Sequence, residues 1–125
     1  MDITSLHLQL QAILGERAVL ADAMEAERRR ADFMTRGPAP AVVAYPVSTD
    51  EVSAVLRLCH ELGQAVVPQG GLTGLAGGAV PKQEGMVALS LERMRAIEEI
   101  DLNAAVMTVQ AGAASMAENY VGLPF

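Results

Sequence analysis

Tryptophan is absent, and phenylalanine and tyrosine bring the aromatic share to only 3%. A core must therefore be assembled from Ala, Val, Leu, Ile and Met, which a hydrophobic content of 51% allows. Cysteine occurs once, at Cys59, so no disulfide can form within the chain. That fits a reducing compartment, and a cytoplasmic location is expected. Basic residues are few, nine against fifteen acidic ones, for a net charge of −6. Such a chain is a poor general binder of nucleic acid, because neutralising phosphates needs Lys and Arg. No apolar run approaches the roughly 20 residues of a membrane span. The N-terminal stretch also lacks the basic start and continuous apolar run of a signal peptide. A length of 125 residues leaves room for one small domain.

What is present falls into a few segments. Ile3, Leu6, Leu10, Ile13 and Leu14 stand at helical spacing, with Thr4 or Ser5 as candidate cap and Gly15 at the end. Residues 18–30 are charged and read as a surface segment, helical or irregular. Arg28, Arg29, Arg30 and Arg36 cluster there; they read as a solvated helix face plus linker, or else as an anion or partner contact. Gly37, Pro38 and Pro40 break any helix. Residues 41–45 then form a short apolar run ended by Pro46, expected to be a buried strand. Ser48, Thr49 or Asp50 can cap the next helix, which carries Val52, Val55, Leu56, Cys59 and Leu62 on one face and stops at Gly63. Cys59, on that stripe, is expected to be a buried small hydrophobe and not a reactive thiol. Ala65, Val66 and Val67 make the following strand, completing a strand–helix–strand unit that favours parallel pairing. Further strands are expected at 86–91, 97–101 and 105–110, with Asn103 as the turn residue best able to take positive φ. A last helix would start near Ala114. The fold class is α+β, with a mixed sheet.

Of eleven glycines, five fall at Gly70, Gly71, Gly74, Gly77 and Gly78. Glycines that follow a buried strand admit backbone angles closed to other residues, and they let backbone N–H groups approach a ligand without a Cβ in the way. Several such groups in a row make a concavity suited to phosphate oxygens, and Thr73 adds a hydroxyl. The spacing fits neither Gly-x-Gly-x-x-Gly opening a helix nor Gly-x-x-x-x-Gly-Lys-Ser/Thr, since Lys82 follows Pro81 and precedes Gln83. On spacing alone, phosphate binding and a loop that merely needs tight turns both remain open.

The run Pro68-Gln69-Gly70-Gly71-Leu72-Thr73-Gly74-Leu75-Ala76-Gly77-Gly78-Ala79-Val80-Pro81 resembles the pyrophosphate-binding loop of FAD-linked oxidases of the vanillyl-alcohol oxidase/para-cresol methylhydroxylase (PCMH) type. Within that family it is similar to the group of glycolate oxidase, D-lactate dehydrogenase and D-2-hydroxyglutarate dehydrogenase. Val42 to Pro46 with Ser48 to Val52, Ser90 to Met94, Ile97 to Asp101 and Val109 to Gly112 resemble the flanking pieces. The resemblance covers residues 30–112. It implies that residues 1–36 are a helical lead-in and 37–125 part of an FAD-binding domain, incomplete at its C-terminus, so that the chain is an N-terminal fragment. Gly122 to Phe125 look like the start of the next family segment.

The resemblance further implies that the backbone of Gln69, Gly70, Gly71, Leu72, Thr73 and Gly74 holds the FAD pyrophosphate. Pro68 would end the strand, Gly77 and Gly78 would lie near the isoalloxazine side, and Gly112 close to the cofactor. Some relatives bind FAD covalently through a His after the paired glycines. Leu72 stands there, so FAD is expected to be non-covalent. His7 and His60 read as surface residues, and no metal site or catalytic acid or base is expected. The implied reaction is oxidation of a 2-hydroxy acid, the missing half coming from a longer parent or a partner chain. The alternatives are a non-catalytic nucleotide- or anion-binding module and an inactive truncated product.

Overall fold

A computed structural model describes residues 2–113. The element order is α1 (Ile3–Leu14), a single 3-10 turn (Glu16–Ala18), β1 (Val19–Leu20), α2 (Ala23–Arg28), β2 (Val42–Ala44), α3 (Thr49–Glu61), β3 (Val66–Gln69), β4 (Val87–Ser90), β5 (Ile97–Asp101) and β6 (Val106–Val109). The expected helix near Ala114 and the segment Gly122 to Phe125 lie outside the described residues.

Helix α1 spans the expected residues and ends at Gly15, at φ +93°. Its cap is Asp2, whose carboxylate accepts from the Thr4 amide, not Thr4 or Ser5. A carboxylate on the residue just before the helix reaches the orphan amides that Thr4 and Ser5, already inside the helix, cannot. Helix α3 is capped by Ser48, whose hydroxyl accepts from the Glu51 amide at 3.2 Å. Gly63, at φ +64°, stands just past its end. Val55 and Cys59 are its buried residues, whereas Leu56 is 45% exposed and lies off the apolar face to which the spacing assigned it.

The main sheet is mixed, in the order β1-β2-β4-β3, with β2, β4 and β3 parallel and β1 antiparallel to β2. The strand–helix–strand unit thus has the expected parallel sense, but β2 and β3 do not pair, because β4 enters between them. Strand residues alternate between two apolar layers. Val42, Ala44, Val87 and Leu89 pack with Leu6 and Leu10 of α1 and Val55 and Cys59 of α3. Val43, Tyr45, Val67 and Ala88 face the other way, with Ala18 and Met86. Burial on both faces is why β2 and β4 read as unbroken apolar runs.

The segment 18–30 departs from its expected surface role. Val19 and Leu20 pair with Ala44 and Val43. Glu25 and Arg29 are buried, at 7% and 2% exposure. A two-residue strand leaves no period to read, and an arginine signals burial only through its partners. β5 and β6 form a separate antiparallel pair. In its turn, Ala105 takes positive φ (+54°) instead of Asn103: the Asp101 carboxylate accepts from the Asn103 and Ala104 amides, and the left-handed residue falls just after them. Among the described residues, no helix is long and apolar enough to cross a membrane.

Candidate functional site at the glycine loop

Parallel neighbours β3 and β4 cannot be joined by a hairpin. The chain leaving the carboxyl end of β3 must travel back to the amino end of β4, and residues 70–86 make that journey without helix or strand. Sites in open parallel sheets form outside the carboxyl ends of the strands. At this end stand Tyr45, Gln69 and the chain after Ser90.

Gln69 is 1% exposed and ties the loop's two ends to the lead-in. Its side-chain amide donates to the carbonyl of Arg29 at 2.8 Å and to that of Ala79 at 2.9 Å. Its Oε1 has no partner among the described residues. Pro68, before it, is exposed. Leu72 has φ +59°, a left-handed conformation that costs a non-glycine residue about 1–2 kcal/mol. Strain of this kind gathers at ligand sites. Among the described residues, the amides of Gly70, Gly71, Leu72, Thr73 and Gly74 donate to no protein acceptor. A Cβ on Gly70, Gly74 or Gly78 would meet nothing within 4 Å. One arm of the loop thus offers unpaired donors and space.

The other arm is engaged. Gly77 (φ +80°) donates its amide to Asp32 Oδ2 at 2.9 Å. The Gly74 carbonyl accepts from the Phe33 amide at 3.2 Å. A Cβ on Gly77 would stand 3.0 Å from Lys82 Nζ and 3.3 Å from Thr35 Oγ1. Lys82 is the chain's single lysine, and among the described residues its ammonium makes no ion pair. A Cβ on Gly37 would stand 2.1 Å from the Pro81 carbonyl oxygen, so the lead-in lies directly against the loop's end. Gly112 is packed, not open. A Cβ there would fall 1.6 Å from the Leu91 carbonyl oxygen, which accounts for that glycine without a ligand.

Asp32 was not singled out in the sequence. Its Oδ1 accepts from the Met34 amide, the Thr35 amide and the Thr35 hydroxyl at 2.9, 2.7 and 2.8 Å. Desolvation pushes its pKa up, but the hydrogen bonds from Thr35, Met34 and Gly77 outweigh this and hold it below the ordinary value. Asp-x-x-Thr is a legible local turn signature. The reach to Gly77 is not.

The arginine cluster is spent internally. Arg28 pairs with Glu25, Arg30 and Arg36 both pair with Glu27, and Arg29 bonds Glu25, the Tyr45 hydroxyl and Glu92 Oε2, the last at 2.5 Å. Arg29 and Arg93 also lie over the Tyr45 ring, at 5.2 and 4.9 Å from its centroid. The hydrogen bond from Arg36, then that from Arg30, lowers the Glu27 pKa. Of the two readings of this cluster, internal pairing is the one the geometry shows. Cys59 is buried, and burial raises its thiol pKa. His7 is half-buried on α1 and His60 is exposed on α3. Among the described residues, no group of three His, Cys, Asp or Glu comes together as a metal site.

Residues 40–116 match the family model described as an FAD binding domain. The chain is 40% identical over 108 residues to a D-2-hydroxyglutarate dehydrogenase of Xanthomonas citri pv. viticola, covering 84% of this chain and 22% of that protein. It is 45% identical over 71 residues to a D-lactate dehydrogenase of Archaeoglobus fulgidus, covering 57% and 16%. The fold is similar to 4-ethylphenol oxidase from Gulosibacter chungangensis (TM-score 0.78, 25% identity, 87% of this chain and 22% of that one). It is also similar to an alkyldihydroxyacetonephosphate synthase (TM-score 0.77, 18% identity, covering 90% and 23%). The chain therefore spans about a quarter or less of the proteins it matches. A family model that covers most of the chain, together with a glycine loop at the carboxyl end of a parallel strand, means that this chain belongs to the FAD-binding domain family.

Proposed function

We propose that the chain supplies the pyrophosphate-binding part of a flavin-dependent oxidoreductase that oxidises a 2-hydroxy acid of the glycolate, D-lactate or D-2-hydroxyglutarate type. The observation that carries this reading is the open arm of the loop: five successive unpaired amides, Gly70 to Gly74, beside glycines with free space. Backbone N–H groups in such a row suit a diphosphate. When bound, the flavin supplies the redox chemistry and the protein binds and orients it. Gln69 to Gly74 would hold the pyrophosphate, with Pro68 ending the strand and Gly78 left open toward the ligand. Gly77 and Gly112 act by packing and by closing the loop. Leu72 has no atom able to bond the flavin, so this loop holds FAD non-covalently. Residues 1–36 serve as a lead-in that adds α1 and β1 to the core and sheet of the domain from residue 37 onward and braces it through Arg29 and Asp32. The rest of the substrate site comes from a longer parent or a partner chain. A lone buried cysteine suits a reducing, cytoplasmic setting.

A second reading follows from the donor set itself. Amides that hold a diphosphate do not by themselves distinguish FAD from ADP, so a nucleotide-binding module without catalysis would use the same arm. Titrating the natively purified chain with FAD and with ADP, followed by gel filtration, separates the two. Flavin absorption that co-elutes with the protein, and FAD binding tighter than ADP, is the expected result. Equal binding of ADP and FAD favours the module, and failure of both ligands to bind rejects the site.

A further inference from the structure

The glycine loop is one stretch of sequence, but its two arms are held differently. Segment 30–37 closes on itself: Arg30 Nε donates to the Gly37 carbonyl at 2.9 Å, the Gly37 amide donates to the Arg30 carbonyl at 2.8 Å, and Ala31 bridges Arg36. Asp32 sits inside this strap. One carboxylate oxygen organises the strap through Met34 and Thr35, and the other takes the Gly77 amide. Phe33 adds its amide to the Gly74 carbonyl, and Gly37 abuts Pro81. The strap therefore meets the loop at Gly77 and Pro81, on one arm, and at the Gly74 carbonyl, where the two arms join.

Resting on the FAD reading above, we propose that Asp32 is a positioning residue for the pyrophosphate site. Its carboxylate withdraws the Gly77 amide from ligand contact, pins the arm from Gly74 to Pro81, and so sets Gly70 to Gly74 as the anion's donors. A floppy glycine loop loses backbone entropy on ordering around a ligand. Pinning one arm beforehand removes part of that cost. A carboxylate beside a diphosphate would ordinarily repel it. Here four donors converge on that carboxylate, and Lys82 stands over the same glycine.

Asp32→Asn is the discriminating change. Asn retains one acceptor for the Met34 and Thr35 donors, but it presents an NH2 group to the Gly77 N–H, donor against donor. Amide hydrogen exchange and FAD titration are measured on the full chain. In the unaltered protein, the Gly77 amide should exchange slowly and those of Gly70 to Gly74 fast, and FAD should slow the latter only. In Asp32→Asn, Gly77 exchange should rise while the protection of α1 and α3 stays. The Kd for FAD should increase about tenfold, the low end of what losing an orienting partner costs at metal sites. Thr35→Val removes one donor to Asp32 but leaves Gly77 bonded, and it should keep FAD affinity near the starting value. Faster Gly77 exchange with unchanged FAD affinity overturns the positioning role, as does FAD protecting Gly77 instead of Gly70 to Gly74. If the unaltered chain takes up no FAD, the site reading fails. Gly77 exchange in Asp32→Asn then still decides whether the strap holds the loop, and an unchanged rate rejects it.

Discussion

The sheet and the glycine loop hold their shape by opposite means. In the sheet, Val42, Ala44 and Val87 are fully buried between α1 and α3 on one side, and their neighbours fill the other. Stability there is distributed, since each buried Val or Leu contributes about 1.5–3 kcal/mol and none directs the chain by itself. The loop from Gly70 to Met86 has neither helix nor strand, and most of its residues from Gly71 to Gly78 are exposed. It is shaped by a handful of directional contacts: Gln69 to two carbonyls, Asp32 to Gly77, and Gly37 against Pro81. A protein built this way can lose the shape of its loop without losing its fold, because the two rest on different interactions.

Mutations that strike one region and spare the other test that separation. The largest effect belongs to the sheet layer: Leu10→Ala, at a residue with 0% exposure, should cost about 3 kcal/mol in urea unfolding. FAD affinity of the molecules that remain folded should be unchanged; a parallel loss of affinity would break the comparison. Gly37→Ala, which forces a Cβ to within 2.1 Å of the Pro81 oxygen, should cost about 1–3 kcal/mol and also weaken FAD, since it displaces the loop's end. Gly78→Ala sharpens the contrast. Its Cβ meets nothing within 4 Å, so stability should change by less than about 0.5 kcal/mol. A methyl group placed in the ligand's space should still raise the Kd for FAD roughly tenfold.

The smallest effect is a displaced titration. The Asp32 pKa is depressed in the folded chain, so its clasp is present above the ordinary value of 3.8 and is lost as pH falls through the lower folded value. The Gly77 amide resonance, followed into acid, should shift with a midpoint below 3.8. A midpoint at or above it would mean that the carboxylate is not held by these donors.

Much of this was legible in the residues. Apolar spacing marked α1 and α3 because a helix must bury one stripe, and Gly15 and Gly63 marked their ends. Apolar runs marked β2 and β4 because both faces of a parallel sheet are covered. Five glycines in the segment that follows β3 marked the long return loop. Less visible was the strand order. Insertion of β4 between β2 and β3 depends on where a structureless return path lets the chain re-enter, and that leaves no periodic trace. Burial of Arg29 was hidden as well, since its partners Tyr45 and Glu92 lie 16 and 63 residues away.

The elements, the family resemblance and the position of the loop could all be read from the residues, because each depends on local spacing and composition. Which loop amides stay unpaired could not; that emerged from the folded arrangement. The choice is made by an aspartate 45 residues upstream of Gly77, and a hydrogen bond between distant segments is formed by folding, not by spacing.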